Sequence, residues 1–268
     1  MRKTGLISIA MILTIMITGL RADPRRWTWS HGAIIRGDST QKKIALVFTG
    51  GDFYDGAEHI WRFLKIEQEG MLASFFFTGD FYRNPATQKI IRKLVQDGHY
   101  MGAHSDKHLL YCDWKKRDSL LVTREQFVAD LEANYTEMKR FGITREQTPF
   151  FMPPYEWYNQ TIARWTKEMG LTLINFTPGT LSNADYTFPD LDNYKNNRQI
   201  IESILRYAEN KKNGLNGFIL LLHVGATPLR PEKVYYELDI IVENLKVMGY
   251  QFVRIDQLLA PAVPGKSK

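Results

Sequence analysis

An α/β domain built on a parallel sheet is the fold class this sequence predicts, and three observations carry it. Short apolar runs rich in strand formers alternate with amphipathic segments of helix length from residue 43 to residue 255. Glycine and proline punctuate the joins. Isolated polar residues follow directly on several of the apolar runs.

The elements can be justified in order. "KIALVF" (43–48) is a strand, and "AEHIWRFLKIEQEG" (57–70) has helical spacing and closes on Gly70, a C-cap residue. "LASFFFT" (72–78) is the second strand, followed by a helix over 84–98 with Pro85 near its start and Gly98 past its end. "HYMGAH" (99–104) is the third strand; the helix over 123–142 opens with Thr123 and Gln126 at capping-box spacing. Strands at 149–152, 171–176, 217–223 and 250–255 alternate with helices at 159–170, 197–212 and 231–249, the last with Pro231 in its first turn. Seven such units mean a parallel sheet, either open and doubly wound or closed into a barrel. No G-x-G-x-x-G follows the first strand, which argues against a dinucleotide fold. One domain spans about residues 30–260 of the 268.

Composition excludes some classes. The net charge of +6 is spread along the chain, with no arginine-rich arm or zinc-finger spacing, so no nucleic-acid partner is expected. Cys112 is the single cysteine, which rules out an intramolecular disulfide. Met1-Arg2-Lys3, the apolar run 5–20 and the polar "RADPRRW" read as a signal peptide over 1–22 with Ala22 before the cut, hence export and no stable membrane contact. The competing reading is an uncleaved membrane anchor, although the run is shorter than the about 18 residues of a usual span. N-x-T triplets at Asn134, Asn159 and Asn175 arise readily by chance.

The carboxyl ends of parallel strands converge on one face, and that face carries the site. Asp52 follows the first strand, His104 and His108 the third, "PPYE" (153–156) the fourth and Asp185 the fifth, while His223 ends the sixth. Two imidazoles four apart make a metal clamp if the segment turns helical; otherwise they are loop histidines bonded to backbone. His223, at the end of the apolar "FILLL", is placed to exchange a proton near neutral pH or to cap a loop. Pro153 and Pro154 stiffen a loop that presents Tyr155 and its backbone N–H. The aromatic residues Tyr155, Trp157 and Tyr158 suit sugar stacking or packing.

Residues 40–260 resemble the polysaccharide deacetylases, the NodB-like domains of carbohydrate esterase family four. "HSDKH" fits the family's H-[ST]-x-x-H motif, "FFMPPY" resembles its R-x-PPY loop, "SNADY" its loop ending in Asp-Trp, and "LLH" (221–223) its leucine-x-histidine motif. The resemblance implies a distorted (β/α)7 barrel that hydrolyses N- or O-acetyl groups on a glycan. It implies that His104 and His108 hold a divalent metal, zinc with cobalt or nickel as alternatives, and that a carboxylate takes the proton of water. The Tyr155 N–H would stabilise the oxyanion and His223 would protonate the leaving group. Pro154, Tyr155 and Leu221 would face the substrate, with Leu221 against the acetyl methyl.

The chain departs from the family in its first motif, where T-F-D-D-G is replaced by Val47-Phe48-Thr49-Gly50-Gly51, and at Met152, which replaces the arginine of the third. The two losses match, since an arginine at 152 without its carboxylate would be a buried unpaired charge. Asp52 is the preferred third metal ligand with Asp55 in reserve, and Glu156 the candidate base. The competing reading is a carbohydrate-binding relative that has lost hydrolysis.

Overall fold

The computed structural model describes residues 26–260. Residues 1–22, expected from the sequence to be a signal peptide, lie outside them, and no helix among the described residues is long and apolar enough to cross a membrane. The described chain opens with a hairpin that the sequence reading misses: strand β1 (Thr28–Ser30) pairs antiparallel with β2 (Ala33–Arg36) across His31 and Gly32. Both turn residues have positive φ, 44° and 85°, as a tight hairpin demands.

The strand–helix units then run in order. They are β3 (Lys43–Gly50) with α1 (Ala57–Arg62), β4 (Ser74–Phe77) with α2 (Gly79–Arg83) and α3 (Gln88–Gln96), and β5 (Tyr100–Ala103) with α4 (Arg124–Lys139). They continue with β6 (Phe150–Phe151) and α5 (Gln160–Glu168), β7 (Thr172–Leu173) and α6 (Asn197–Asn210), β8 (Phe218–His223) and α7 (Leu238–Val247), and β9 (Gln251–Val253) and α8 (Ile255–Leu258). A π-helical turn, Phe63–Glu67, extends α1, and Gly70 after it sits at φ 85°. The capping box of Thr123 and Gln126 is formed in full. Two helix starts differ from expectation. Pro85 lies in a turn ahead of α3, and Pro231 precedes a 3-10 turn, Val234–Glu237, so that α7 begins only at Leu238.

The sheet order is β7-β6-β5-β4-β3-β8, all parallel, with β9 pairing the start of β3. The sheet curls into a distorted (β/α)7 barrel. No ladder joins β7 to β8 directly. Ile34 of β2 bridges Ile174, Asn175 N–H donates to Ile34 O at 2.9 Å, and Thr177 N–H donates to Ile219 O at 3.0 Å. The hairpin and the Asn175–Thr177 segment thus close the seam.

Strand alternation divides the core into two layers. Ala45 and Val47 of β3, Phe76 of β4, and Ile219 and Leu221 of β8 form an inner cluster with Met152 and Ile174. Ile44, Leu46 and Phe48, Phe75 and Phe77, and Leu220 and Leu222 belong to the larger cluster under the helices. The same parity carries Thr49 and His223, paired in register across β3 and β8, to the inner face at the carboxyl end of the sheet. Asn134, Asn159 and Asn175 are all buried and hydrogen-bonded within the fold, which makes the three N-x-T triplets structural.

Candidate active site

A cleft of about 910 Å³ opens at the carboxyl ends of the strands, and Thr49, Asp52, His104, His108, Glu156 and His223 are among its lining residues. Sequence-distant residues from four strand ends, those of β3, β5, β6 and β8, therefore meet at one place.

The two-histidine segment is held by a device other than the helical turn considered from the sequence. Residues 104–108 form an irregular loop in which Ser105 (φ 72°) and His108 (φ 54°) take left-handed backbone. Two polar residues on the buried face of α4 support it. Asp130 accepts hydrogen bonds from Ser105 Oγ (2.6 Å), the N–H groups of Asp106 (3.1 Å) and Lys107 (3.0 Å), and Tyr111 OH (3.2 Å). Asn134 Oδ1 accepts from His104 N–H at 2.8 Å while its Nδ2 donates to Phe77 O. Sequence reasoning misses both residues. Their signal was a pair of polar side chains four apart on a face otherwise formed by Phe127, Leu131, Tyr135 and Met138.

The imidazole rings of His104 and His108 lie 5.1 Å apart. His104 Nδ1–H donates to Met152 O at 2.9 Å, which leaves Nε2 as the lone-pair nitrogen. Burial, reinforced by His108, holds the His104 pKa well below its ordinary value. Burial likewise lowers His108 to about 4 against the opposing pull of Asp52. Both rings are therefore neutral at pH 7, the form in which imidazole binds metal.

The opposite chemistry governs His223. Its Nδ1–H donates to Asp185 Oδ1 at 2.6 Å, and its backbone N–H to Asp185 Oδ2 at 2.8 Å. Burial opposes the charge, but the Asp185 carboxylate outweighs it and raises the His223 pKa. Glu156 follows the two prolines, and Tyr155 (φ 57°) and Glu156 (φ 53°) are consecutive non-glycine residues in left-handed backbone. Asn175 Nδ2 holds this turn through Glu156 O at 2.8 Å. Burial pushes the Glu156 carboxyl up to about 7, with His223 opposing and Asp185 adding to the shift. The pair is thus a carboxyl raised by burial and an imidazole raised by its carboxylate partner.

The remaining residues singled out from the sequence separate. Leu221 is fully buried in the inner cluster and Pro154 is buried within its loop; neither lines the cleft, so of the three only Tyr155 does. Asp55 is consumed elsewhere: its carboxylate accepts from Ala226 N–H at 3.0 Å and Tyr235 OH at 2.5 Å. Asp52 is exposed at the cleft, where its charge acts on His108. The donor set of His104 and His108 suits zinc, cobalt or nickel. Among the described residues, however, no three His, Cys, Asp or Glu side chains converge closely enough to hold an ion.

The structure explains the altered first motif. A Cβ on Gly50 would lie 2.6 Å from Val224 Cγ2 and 2.9 Å from Phe77 Cδ1, so neighbouring apolar groups occupy that space. Thr49 Oγ1 is buried without a hydrogen-bond partner, and Met152 completes the apolar interior beneath it.

Comparison with known proteins agrees with this architecture. A family model described as polysaccharide deacetylase matches residues 36–174. The peptidoglycan-N-acetylglucosamine deacetylase PgdA of Listeria monocytogenes is 26% identical over 221 residues, 82% of this chain and 39% of that protein. The chain thus spans about two fifths of the length of the curated relatives it matches. Among solved structures, a CE4 family pseudoenzyme from Bacillus anthracis superposes with TM-score 0.66 at 17% identity, covering 87% of this chain and 70% of that one. The family 4 carbohydrate esterase PdaA of Bacillus subtilis superposes with TM-score 0.64 at 24% identity, covering 85% of each chain.

Proposed function

This chain belongs to the polysaccharide deacetylase family, and on that premise we propose that it hydrolyses acetyl groups from an acetylated glycan. The relative named as a peptidoglycan-N-acetylglucosamine deacetylase makes an N-acetylated glycan the first substrate to try. The observation that carries the reading is the joining of Glu156 and the His223–Asp185 pair in the cleft that also holds His104 and His108.

Each group has a role in the proposed reaction. Glu156, ionised above about pH 7, takes a proton from the attacking water. His223, whose charged form is favoured by Asp185, gives a proton to the departing nitrogen or oxygen. The Tyr155 backbone N–H, fixed by the proline pair, donates to the developing oxyanion. His104 and His108 would hold a divalent cation, and Asp52, exposed at the cleft and not converging with the two rings, would have to move in to serve as a third ligand. Such an ion, when bound, polarises the acetyl carbonyl and acidifies water. The basic, apolar and polar order of residues 1–22 supports export as part of the same proposal.

The test is acetate release from acetylated chito-oligosaccharides and peptidoglycan fragments with zinc, cobalt or nickel, alongside metal content. His108→Ala loses the metal, and His223→Ala keeps it but loses turnover. Absence of acetate release from every substrate with all three metals would refute hydrolysis. One observation favours a second reading, a glycan binder without turnover: the Gly50 space is filled by Val224 and Phe77. Glycan binding without acetate release is its signature.

A further inference from the structure

The connection between β5 and α4 is an ordered projection beside the cleft. Residues 111–121 fold back on themselves: Leu121 N–H donates to Tyr111 O and Asp113 N–H to Ser119 O, each at 2.9 Å, and Cys112 bridges Leu120. Asp113 Oδ1 accepts from the N–H groups of Lys115 (2.8 Å) and Lys116 (2.7 Å), which fixes the turn carrying Trp114. Despite this order, Trp114 is 54% exposed.

Trp114 belongs to a braced set of rings. It meets Tyr155 edge-on at 5.6 Å and Trp157 at 5.5 Å between centroids. Trp157 Nε1–H donates to Asp113 O at 3.2 Å, and the Arg117 guanidinium sits 3.6 Å from the Trp157 ring centroid. Asn159 Nδ2 in turn donates to Arg117 O at 2.9 Å. Trp114, Tyr155, Trp157 and Arg117 all line the cleft that contains Glu156 and His223.

Locked aromatic surface left in water marks a binding site. The chemistry of the occupant can be read from its surroundings. Arg117 is engaged by Trp157 and His31, and Lys107 by Asp80, so the lysine and arginine that line the cleft are already partnered. An uncharged ring with an apolar face and polar edges matches such a wall. We infer that Trp114, with Tyr155 and Trp157, forms a stacking platform for a second pyranose ring of the glycan chain, beyond the ring whose acetyl group reaches Glu156 and His223. This inference rests on the proposed reading of the cleft as a glycan site. Its consequence is a preference for chains of several sugars over a single sugar.

The test is calorimetric titration of the full chain with N-acetylglucosamine, tetra-N-acetylchitotetraose and O-acetylated xylotetraose, with acetate release followed in parallel. Trp114→Ala weakens the better tetrasaccharide roughly ten-fold, equivalent to about 1.4 kcal/mol, and leaves the monosaccharide unchanged. Trp114→Phe retains most of the affinity. Tyr236→Ala, which removes an exposed ring outside the cleft, changes nothing. The platform is refuted if Trp114→Ala binds tetrasaccharide like the wild type, or loses monosaccharide equally. It is also refuted if the wild type binds neither tetrasaccharide more tightly than the monosaccharide. Tetrasaccharide binding that depends on Trp114 without acetate release would sink hydrolysis alone; acetate release with no Trp114 dependence would sink the platform alone.

Discussion

Asp130→Ala is the most informative perturbation of the scaffold behind the histidines. The carboxylate accepts four hydrogen bonds, of which those from Ser105 Oγ and Tyr111 OH belong to hydroxyls that can rotate. The backbone N–H groups of Asp106 and Lys107 cannot turn away, and Asp106 is only 5% exposed. Leaving a buried donor unpaired costs about 1–3 kcal/mol, and the half-buried Lys107 amide falls at the low end. Part of the loss is offset because a desolvated carboxylate is removed. The expected net destabilisation is about 3 kcal/mol, or a fall in Tm of roughly 6–12 °C for a domain of this size. Denaturant melts of the wild type, Asp130→Ala and Asp130→Asn measure it, with asparagine intermediate because it keeps one acceptor. Amide hydrogen exchange supplies a local readout, since the Asp106 and Lys107 amides lose protection in the alanine variant. A loss below about 1 kcal/mol, or unchanged exchange at those two amides, would refute the assignment of Asp130 as the loop's anchor.

Two further outcomes follow from the site. Glu156 has a folded pKa raised by burial to about 7, so its contribution to stability is present below its unfolded pKa and lost as pH rises through about 7. Glu156→Gln removes that dependence: the variant matches the wild type near pH 3.5, below the ordinary carboxyl range, and exceeds it by about 3 kcal/mol at pH 9. An equal stability difference at both pH values would contradict the shifted carboxyl. Gly50→Asp, which restores one family carboxylate, collides with Val224 and Phe77 and destabilises by about 1–3 kcal/mol. Val224→Ala in the same chain recovers most of this, and thermal melts that show no such rescue would refute the overpacking account.

The seven core strands and their helices are legible in the sequence because strand and helix periodicities differ and glycines mark the ends. The hairpin of β1 and β2 is not, since three- and four-residue strands show no period. Helix α2 is equally too short to announce itself. At the site, the spacing of His104 and His108 is readable, yet the left-handed backbone that sets their rings depends on Asp130 and Asn134, some 25 to 30 residues later. The choice between Asp52 and Asp55 was open for the same reason. The groups that claim Asp55, Tyr235 OH and Ala226 N–H, lie 180 and 171 residues away in the chain. The loss of the first-motif carboxylates is plain in the sequence, whereas the filling of their space by Phe77 and Val224 is a fact of packing.

The seam between β7 and β8 has a bearing on how this sheet avoids pairing with a second chain. The backbone of Ile174–Thr177 would be an unpaired parallel edge, and such an edge is a template on which a second chain can add a strand. Here the occupant is supplied in cis, because Ile34 O receives the Asn175 amide and Ile35 O receives Thr177 Oγ1. The matched family segment begins at residue 36, so this guard lies almost wholly upstream of it. The unit protected against edge-to-edge aggregation therefore begins ahead of the segment that the family model matches, and those leading residues serve as a tethered substitute strand.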